Sequence, residues 1–187
     1  FCVSTSLEDN QICVYSKIRQ MLYILDAVSK TRVDSARLNL DMVTQIASLH
    51  SKIWMATFTG LYVWDIHSRR LDTIHIPGLK QINHIELGSE SAWLCSDVMG
   101  ITNYSYRDKT IRQIPLSPVT RSSDVKSMYL HSPYLWFTTQ DGIGYYHLLT
   151  GHIRYYLAGE LFPTGKFMQH VIAAQGDTLY AGGVNQL

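Results

Sequence analysis

Short runs of apolar and aromatic residues, four to seven positions long, follow one another along the whole 187-residue chain. They are rich in Val, Ile, Thr, Tyr and Trp and are bounded by Gly, Ser, Asp, Asn or Pro, so each reads as a short strand closed by a turn. The runs also copy one another. Ile53-Trp54-Met55-Ala56-Thr57 returns as Ala92-Trp93-Leu94-Cys95-Ser96 and as Leu135-Trp136-Phe137-Thr138-Thr139, with a fainter copy at Leu179-Tyr180-Ala181-Gly182. The aromatic second residue recurs after 39, 43 and 44 positions.

Each of the first three anchors leads into a turn ending in glycine (Gly60, Gly100, Gly142) and then a second apolar–aromatic run, such as Leu61-Tyr62-Val63-Trp64-Asp65. A worn earlier copy is Leu22-Tyr23-Ile24-Leu25-Asp26. Before the anchors stand Val43-Thr44-Gln45-Ile46, Ile82-Asn83-His84-Ile85, Val125-Lys126-Ser127-Met128 and Met168-Gln169-His170-Val171, all apolar, polar, polar, apolar. The glycines are expected to supply tight turns with positive φ.

A unit of about 40 residues holding four short strands has the size of one propeller blade. An all-β sandwich also spaces strands regularly, but it does not repeat its own residue pattern. The expectation is therefore an all-β β-propeller of about four four-stranded antiparallel blades plus a partial one, forming a single partial domain over residues 1–187. The repeats run over about 3–40, 41–80, 81–120 and 123–164, with an incomplete one at 166–187. Residues 41–164 should give three consecutive blades with no helix longer than about two turns. Four and a half repeats predict an excerpt of a six- to eight-bladed ring. Trp54, Trp93, Trp136 and Tyr180 are expected to pack in blade cores, Trp54 and Trp136 at equivalent buried places.

The pattern [Leu/Ile]-Trp-x-x-Thr-x-x-Gly-[Leu/Ile]-x-x-[aromatic]-[Asp/His] at Ile53–Asp65 and Leu135–His147 resembles the two-component regulator propeller repeat. The Trp93 copy departs from it, with Ser96 for Thr and one extra residue before Gly100. The resemblance implies the extracytoplasmic or periplasmic sensor domain of a membrane-anchored bacterial hybrid sensor kinase or related regulator. Many such domains respond to oligosaccharides. It further implies the remainder of the propeller and a kinase or regulator chain as partners, and a homodimeric parent protein. Two other readings compete: a propeller scaffold for protein–protein interaction, and a propeller lyase or glycosidase.

Composition narrows the chemistry. Sixteen Lys+Arg balance fifteen Asp+Glu, without a block of either sign, which gives no grip for nucleic acid. No apolar stretch approaches a membrane span. Cys2, Cys13 and Cys95 are too few for a disulfide scaffold and match no CxxC pattern. None of the eight histidines stands in ligand spacing, and His50 and His131 fall at equivalent turns, so no metal and no cofactor is expected. Ser123-Asp124-Val125-Lys126 matches SxxK spacing, and Asn103-Tyr104-Ser105 a glycosylation sequon, both as isolated short matches.

The polar pairs before each anchor carry the one candidate site. A propeller's first strand runs along the central channel, so its start lies at a channel mouth. Gln45, Asn83, His84, Lys126, Ser127, Gln169 and His170, with Thr44, are then expected to form part of a ligand-binding ring, partly open to solvent. Their mixed groups suit a small polar or polyhydroxylated ligand. They include no carboxylate pair and no nucleophile–base pair, so no catalytic residue is assigned.

Overall fold

The computed structural model describes residues 2–6, 10–116, 119–120, 123–157, 159, 166–176 and 178–184, and no helix occurs among them. The chain divides into two compact units, residues 1–87 and 88–187. The first unit opens with β1 (Cys2–Ser6), β2 (Gln11–Ser16), β3 (Met21–Asp26) and β4 (Arg32–Arg37), which form one sheet in that order. A second sheet follows with β5 (Val43–Leu49), β6 (Lys52–Thr57), β7 (Leu61–Asp65) and β8 (Arg70–Ile74). Strand β9 (Ile82–Leu87) ends the unit.

The second unit holds β10 (Ser91–Ser96), β11 (Gly100–Ser105) and β12 (Ile111–Ile114), paired antiparallel in sequence order. Then come β13 (Val125–His131), β14 (Tyr134–Thr139), β15 (Gly142–His147) and β16 (Ile153–Leu157) as another four-stranded sheet. Strands β17 (Lys166–Gln175) and β18 (Thr178–Val184) make a two-stranded one. These are the blade-like meanders that the repeats predict.

Alternation along each strand sends one set of side chains to each face. In the first unit Cys13, Tyr15, Leu22 and Ile24 of the first sheet meet Val43, Ile46, Ile53, Met55 and Trp64 of the second. The buried Tyr15 hydroxyl donates to the Leu40 carbonyl at 2.5 Å and accepts from the Leu40 amide at 3.2 Å, so its polar tip is satisfied. Burial pushes the Cys13 thiol up to about 12, which leaves it an inert core group. In the second unit Trp93, Cys95 and Ile101 meet Val125, Met128, Leu135, Phe137 and Tyr146, with the Trp93 and Tyr146 ring centres 5.8 Å apart.

The apolar–polar–polar–apolar pattern poses a parity problem, because residues three apart in a regular strand face opposite sides. Yet Val43 and Ile46 are both buried, as are Val125 and Met128. A β-bulge resolves it. Val43 pairs with Thr57 but Gln45 pairs with Ala56, so Thr44 is the extra residue; Lys126 plays the same part between Val125 and Ser127. The fourth copy departs from the pattern: Met168 is exposed, Phe167 is buried, and the register shift falls between Phe167 and Ile172.

Two recurring motif residues turn out to hold turns. Thr57 Oγ1 accepts from the amides of Thr59 (3.1 Å) and Gly60 (2.9 Å), and Ser96 Oγ accepts from the Met99 amide (2.9 Å). The Asp/His position closes the next turn. Asp26 Oδ1 accepts from the Ser29 amide (2.6 Å), Asp65 Oδ1 from that of Ser68 (2.8 Å), and His147 Nδ1 from that of Thr150 (3.3 Å). In the third repeat Asp108 takes this role with Thr110.

Those amide donors hold the Asp26 and Asp65 carboxyls below the ordinary carboxylate range, while hydrogen bonds from Ser105 and Thr110 bring Asp108 to about 2. A lowered folded-state pKa adds stability above the unfolded value that disappears as pH falls through the folded one. The melting temperature is therefore expected to drop between about pH 4 and 2. An Asp26→Asn/Asp65→Asn/Asp108→Asn variant should show a shallower drop in the same titration; an unchanged slope would place the acid sensitivity elsewhere.

The anchors are not equivalent in burial. Trp54 and Trp93 are buried, as expected, whereas Trp136 is half-buried and Tyr180 is 56% exposed. Trp136 points away from the Phe137 core into an aromatic group, its ring centre 5.2 Å from that of Tyr145, beside a cleft also lined by Ala174, Gly176, Thr178 and Leu179. Tyr180 lies on β18, which among the described residues pairs on one side only. The glycines also differ from expectation. Gly100 has a φ of 64°, the left-handed turn foreseen, but Gly142 has no positive φ.

Candidate ligand site at the bulged first strands

A bulge turns its extra side chain out of the regular alternation, which is how sheets aim residues at binding sites. In the first unit the bulge residue Thr44 donates through Oγ1 to the Ile82 carbonyl at 2.6 Å, with the Ala56 carbonyl 3.1 Å away. Beside it, Gln45 Oε1 accepts from the Ile85 amide at 2.7 Å. These two side chains tie β5 to β9, and both remain partly exposed. On β9, Asn83 and His84 are buried, and His84 Nε2 lies 2.9 Å from Glu86 Oε1.

In the second unit the bulge residue is Lys126. Its Nζ lies 2.6 Å from Asp124 Oδ1 and 3.2 Å from Asp97 Oδ1. Side-chain exposures of 19% for Lys126, 22% for Asp124 and 39% for Asp97 leave this group open to solvent on one side. Burial, then hydrogen bonding of the protonated Asp124 carboxyl to Asp97, raises the Asp124 pKa against the opposing effect of Lys126. Burial works against the charge on Lys126, but its hydrogen bonds to Asp124 and Asp97 prevail and its pKa is raised. A neighbouring carboxyl favours the protonated form of Asp124, and the Lys126 ammonium opposes it.

Ser127, next to the bulge, is fully buried. The expectation of solvent-open side chains therefore meets a different outcome at Asn83, His84 and Ser127. At Ser127 the bulge restores parity for the apolar flanks and in doing so turns the residue inward, whereas on β9 all four residues of the pattern, Ile82 to Ile85, are buried. Thr44, Gln45 and Lys126 keep partial exposure. The side chains of Gln169 and His170 lie outside the described residues.

The close Asp97–Asp124 pair was not legible in the residue pattern. Asp124 precedes β13 and Asp97 follows β10, 27 residues earlier, so only the packing of β10 on β13 brings them together. No cluster of three or more His, Cys, Asp or Glu able to hold a metal occurs among the described residues. Nor is any helix among them long and apolar enough to cross a membrane.

No protein-family model matches the chain, and no curated protein matches its sequence. Its likeness to other proteins is carried by structure. One similar structure is the extracellular domain of a protein described as a hybrid two-component system of B. thetaiotaomicron. It shows a TM-score of 0.81 and 18% identity over 98% of this chain and 26% of that one. A second, the extracellular domain of a protein described as a one-component system of the same organism, gives 0.76 and 18% over 96% and 24%. A third is the computationally designed protein Ika8, at 0.72 and 12% over 95% and 54%. The chain thus spans about a quarter of the length of the two extracellular domains. Its fold is all-β and β-propeller-like, built of four-stranded antiparallel sheets.

Proposed function

We propose that this chain is part of the ligand-sensing, extracytoplasmic domain of a membrane-anchored two-component regulator. The observation that carries the reading is the fit of nearly the whole chain to extracellular domains described as belonging to hybrid two-component systems. The repeat motif at Ile53–Asp65 and Leu135–His147 points the same way. In this reading the domain takes a small polar ligand such as an oligosaccharide. Binding then favours one arrangement of a homodimer, and the kinase or regulator chain answers through a membrane helix. The shift in that equilibrium is limited by the ligand's differential affinity for the two states.

Within the second unit the partly exposed Lys126, Asp97 and Asp124 supply hydrogen bonds to ligand hydroxyls, and within the first the partly exposed Gln45 does so. The buried Asn83, His84 and Ser127 hold the strand starts behind them, and Gln169 and His170 complete the set in the fifth repeat.

A calorimetric titration against a panel of neutral and acidic oligosaccharides tests the reading. A binder is expected whose affinity falls about tenfold to a hundredfold in Lys126→Ala and Asp97→Asn, the effect of losing a charge-assisted hydrogen bond. Unchanged affinity in both variants would move the site away from the bulges. Failure of every glycan to bind would favour the protein-interaction scaffold.

A further inference from the structure

Cross-strand register puts a group of rings on one face of the sheet β13–β16. Trp136 stands opposite Tyr129 and Tyr145, and Tyr134 opposite His131 and His147. The other face carries Met128, Leu135, Phe137 and Tyr146 into the core with Trp93. The fold does not require this concentration. In the second sheet Trp54 stands opposite Ala47 and Val63, and Lys52 opposite Leu49 and Asp65. In the third, Trp93 stands opposite Asn103. The tryptophan is common to these three sheets, and the other rings are added in the fourth.

The rings are fixed yet partly open. Tyr145 meets Tyr134 at 5.0 Å and 73°, and Trp136 at 5.2 Å and 64°, edge-to-face contacts that set both rings. Tyr129, Tyr134 and Trp136 are half-buried, and His131 is exposed. These four line one wall of a cleft of about 180 Å³, and Ala174, Gly176, Thr178 and Leu179 line the other. Every lining residue belongs to β13–β14, to β17–β18 or to the turn between the latter two. The cleft lies at the end of β13 away from Lys126, so it is separate from the bulge.

No carboxylate, carboxamide, ammonium or guanidinium side chain lines the cleft. Its polar groups are an indole N–H, two phenol hydroxyls, an imidazole and the Thr178 hydroxyl, a set rich in donors. The Tyr134 hydroxyl and the Trp136 N–H make no hydrogen bond among the described residues. A matching ligand is uncharged, offers acceptors, and presents C–H bonds to the ring faces. A sugar brings donor hydroxyls that look for strong acceptors, which this lining lacks. A quaternary ammonium needs rings spaced around it, whereas these rings touch one another. Proline fits: its nitrogen carries no hydrogen, its carbonyl accepts, and its ring is a compact C–H surface. Proline-rich segments are already extended, and aromatic-lined grooves take them at low entropic cost. We propose that this cleft binds a proline-rich peptide segment of a partner protein. One pyrrolidine ring sits against Tyr134 and Trp136, and the indole N–H donates to a prolyl carbonyl.

The test adds hexaproline, capped at both ends, to the full chain. Nuclear magnetic resonance follows the Trp136 indole N–H, assigned through Trp136→Phe. Saturable binding with a downfield shift of that signal is expected, and a capped glycine–serine peptide of the same length should bind at least about tenfold more weakly. Tyr134→Phe keeps the ring face and should bind hexaproline at least about threefold more tightly than Tyr134→Leu, the effect of one aromatic contact. His131 is exposed, so His131→Ala keeps the fold and should weaken the peptide as well. Lys126→Ala should bind it like the parent. Absence of saturable binding, equal affinity for the glycine–serine peptide, or equal affinity in the Phe and Leu variants would each overturn the proposal. So would a His131→Ala variant that binds like the parent, or tighter binding of methyl β-glucopyranoside at the same signal. Loss of hexaproline binding in Lys126→Ala would move the peptide to the bulge and overturn the proposal too. Because the peptide is not an oligosaccharide and the readout is Trp136, its failure to bind leaves the bulge reading standing.

Discussion

Replacing Trp54 with alanine is expected to destabilise the chain by about 3–5 kcal/mol, and replacing Trp136 by clearly less. Both are second residues of an anchor run, and the repeat alone gives them the same place. The surroundings separate them. Trp54 is 6% exposed, so its removal leaves a cavity inside packed strands. The Trp136 ring keeps aromatic neighbours on one side, Tyr134 and Tyr145, and solvent on another. Solvent can fill the space a truncated Trp136 leaves, which removes most of the cavity cost. Urea unfolding of each variant, followed by circular dichroism, measures the difference. Equal losses would show that both rings are buried alike.

Gly142→Ala is the second large expected effect, a loss of about 1–3 kcal/mol or more from overpacking. The reason is room. A methyl group at Gly142 would collide with the Tyr155 hydroxyl and with the Tyr156 carbonyl on the paired strand β16. The carbonyl is backbone and cannot swing aside. The Tyr155 hydroxyl is itself engaged, 2.7 Å from Asp141 Oδ1 and 2.5 Å from Thr139 Oγ1, so moving it breaks the network that shapes this turn. Thermal melts of the variant should shift down, with Tyr155→Phe in the same background recovering part of the loss. A variant as stable as the parent would mean the strand ends separate at little cost.

Much of the architecture can be read from residue spacing because strands, turns and repeats leave local marks. The anchors, the short runs and the Asp and Thr turn holders all act within a few residues of themselves, so their positions in the sequence suffice to place them. The bulge is legible in retrospect. Val43 and Ile46, or Val125 and Met128, are three apart and both buried, and a strand can satisfy that only with one extra residue. Without it, the polar pair reads as two outward residues, which is why Ser127 was expected at the surface. The meeting of Asp97 with Lys126 and Asp124 is a different matter, because it joins side chains from separate repeats through sheet packing and no short-range pattern encodes that. Gly142 shows a third case: its glycine is demanded by a neighbouring strand, while the left-handed turn argument applies to Gly100.

The cores lie between sheets, so the unit of packing is out of phase with the unit of sequence. Trp93 of the third repeat fits against Tyr146 of the fourth, and Trp64 of the second is enclosed with Cys13 and Tyr15 of the first. A repeat that duplicates or diverges carries two unlike faces, each matched to a different neighbour. Exchange of one whole repeat for another therefore disturbs two cores at once, while matched changes on facing sheets disturb one.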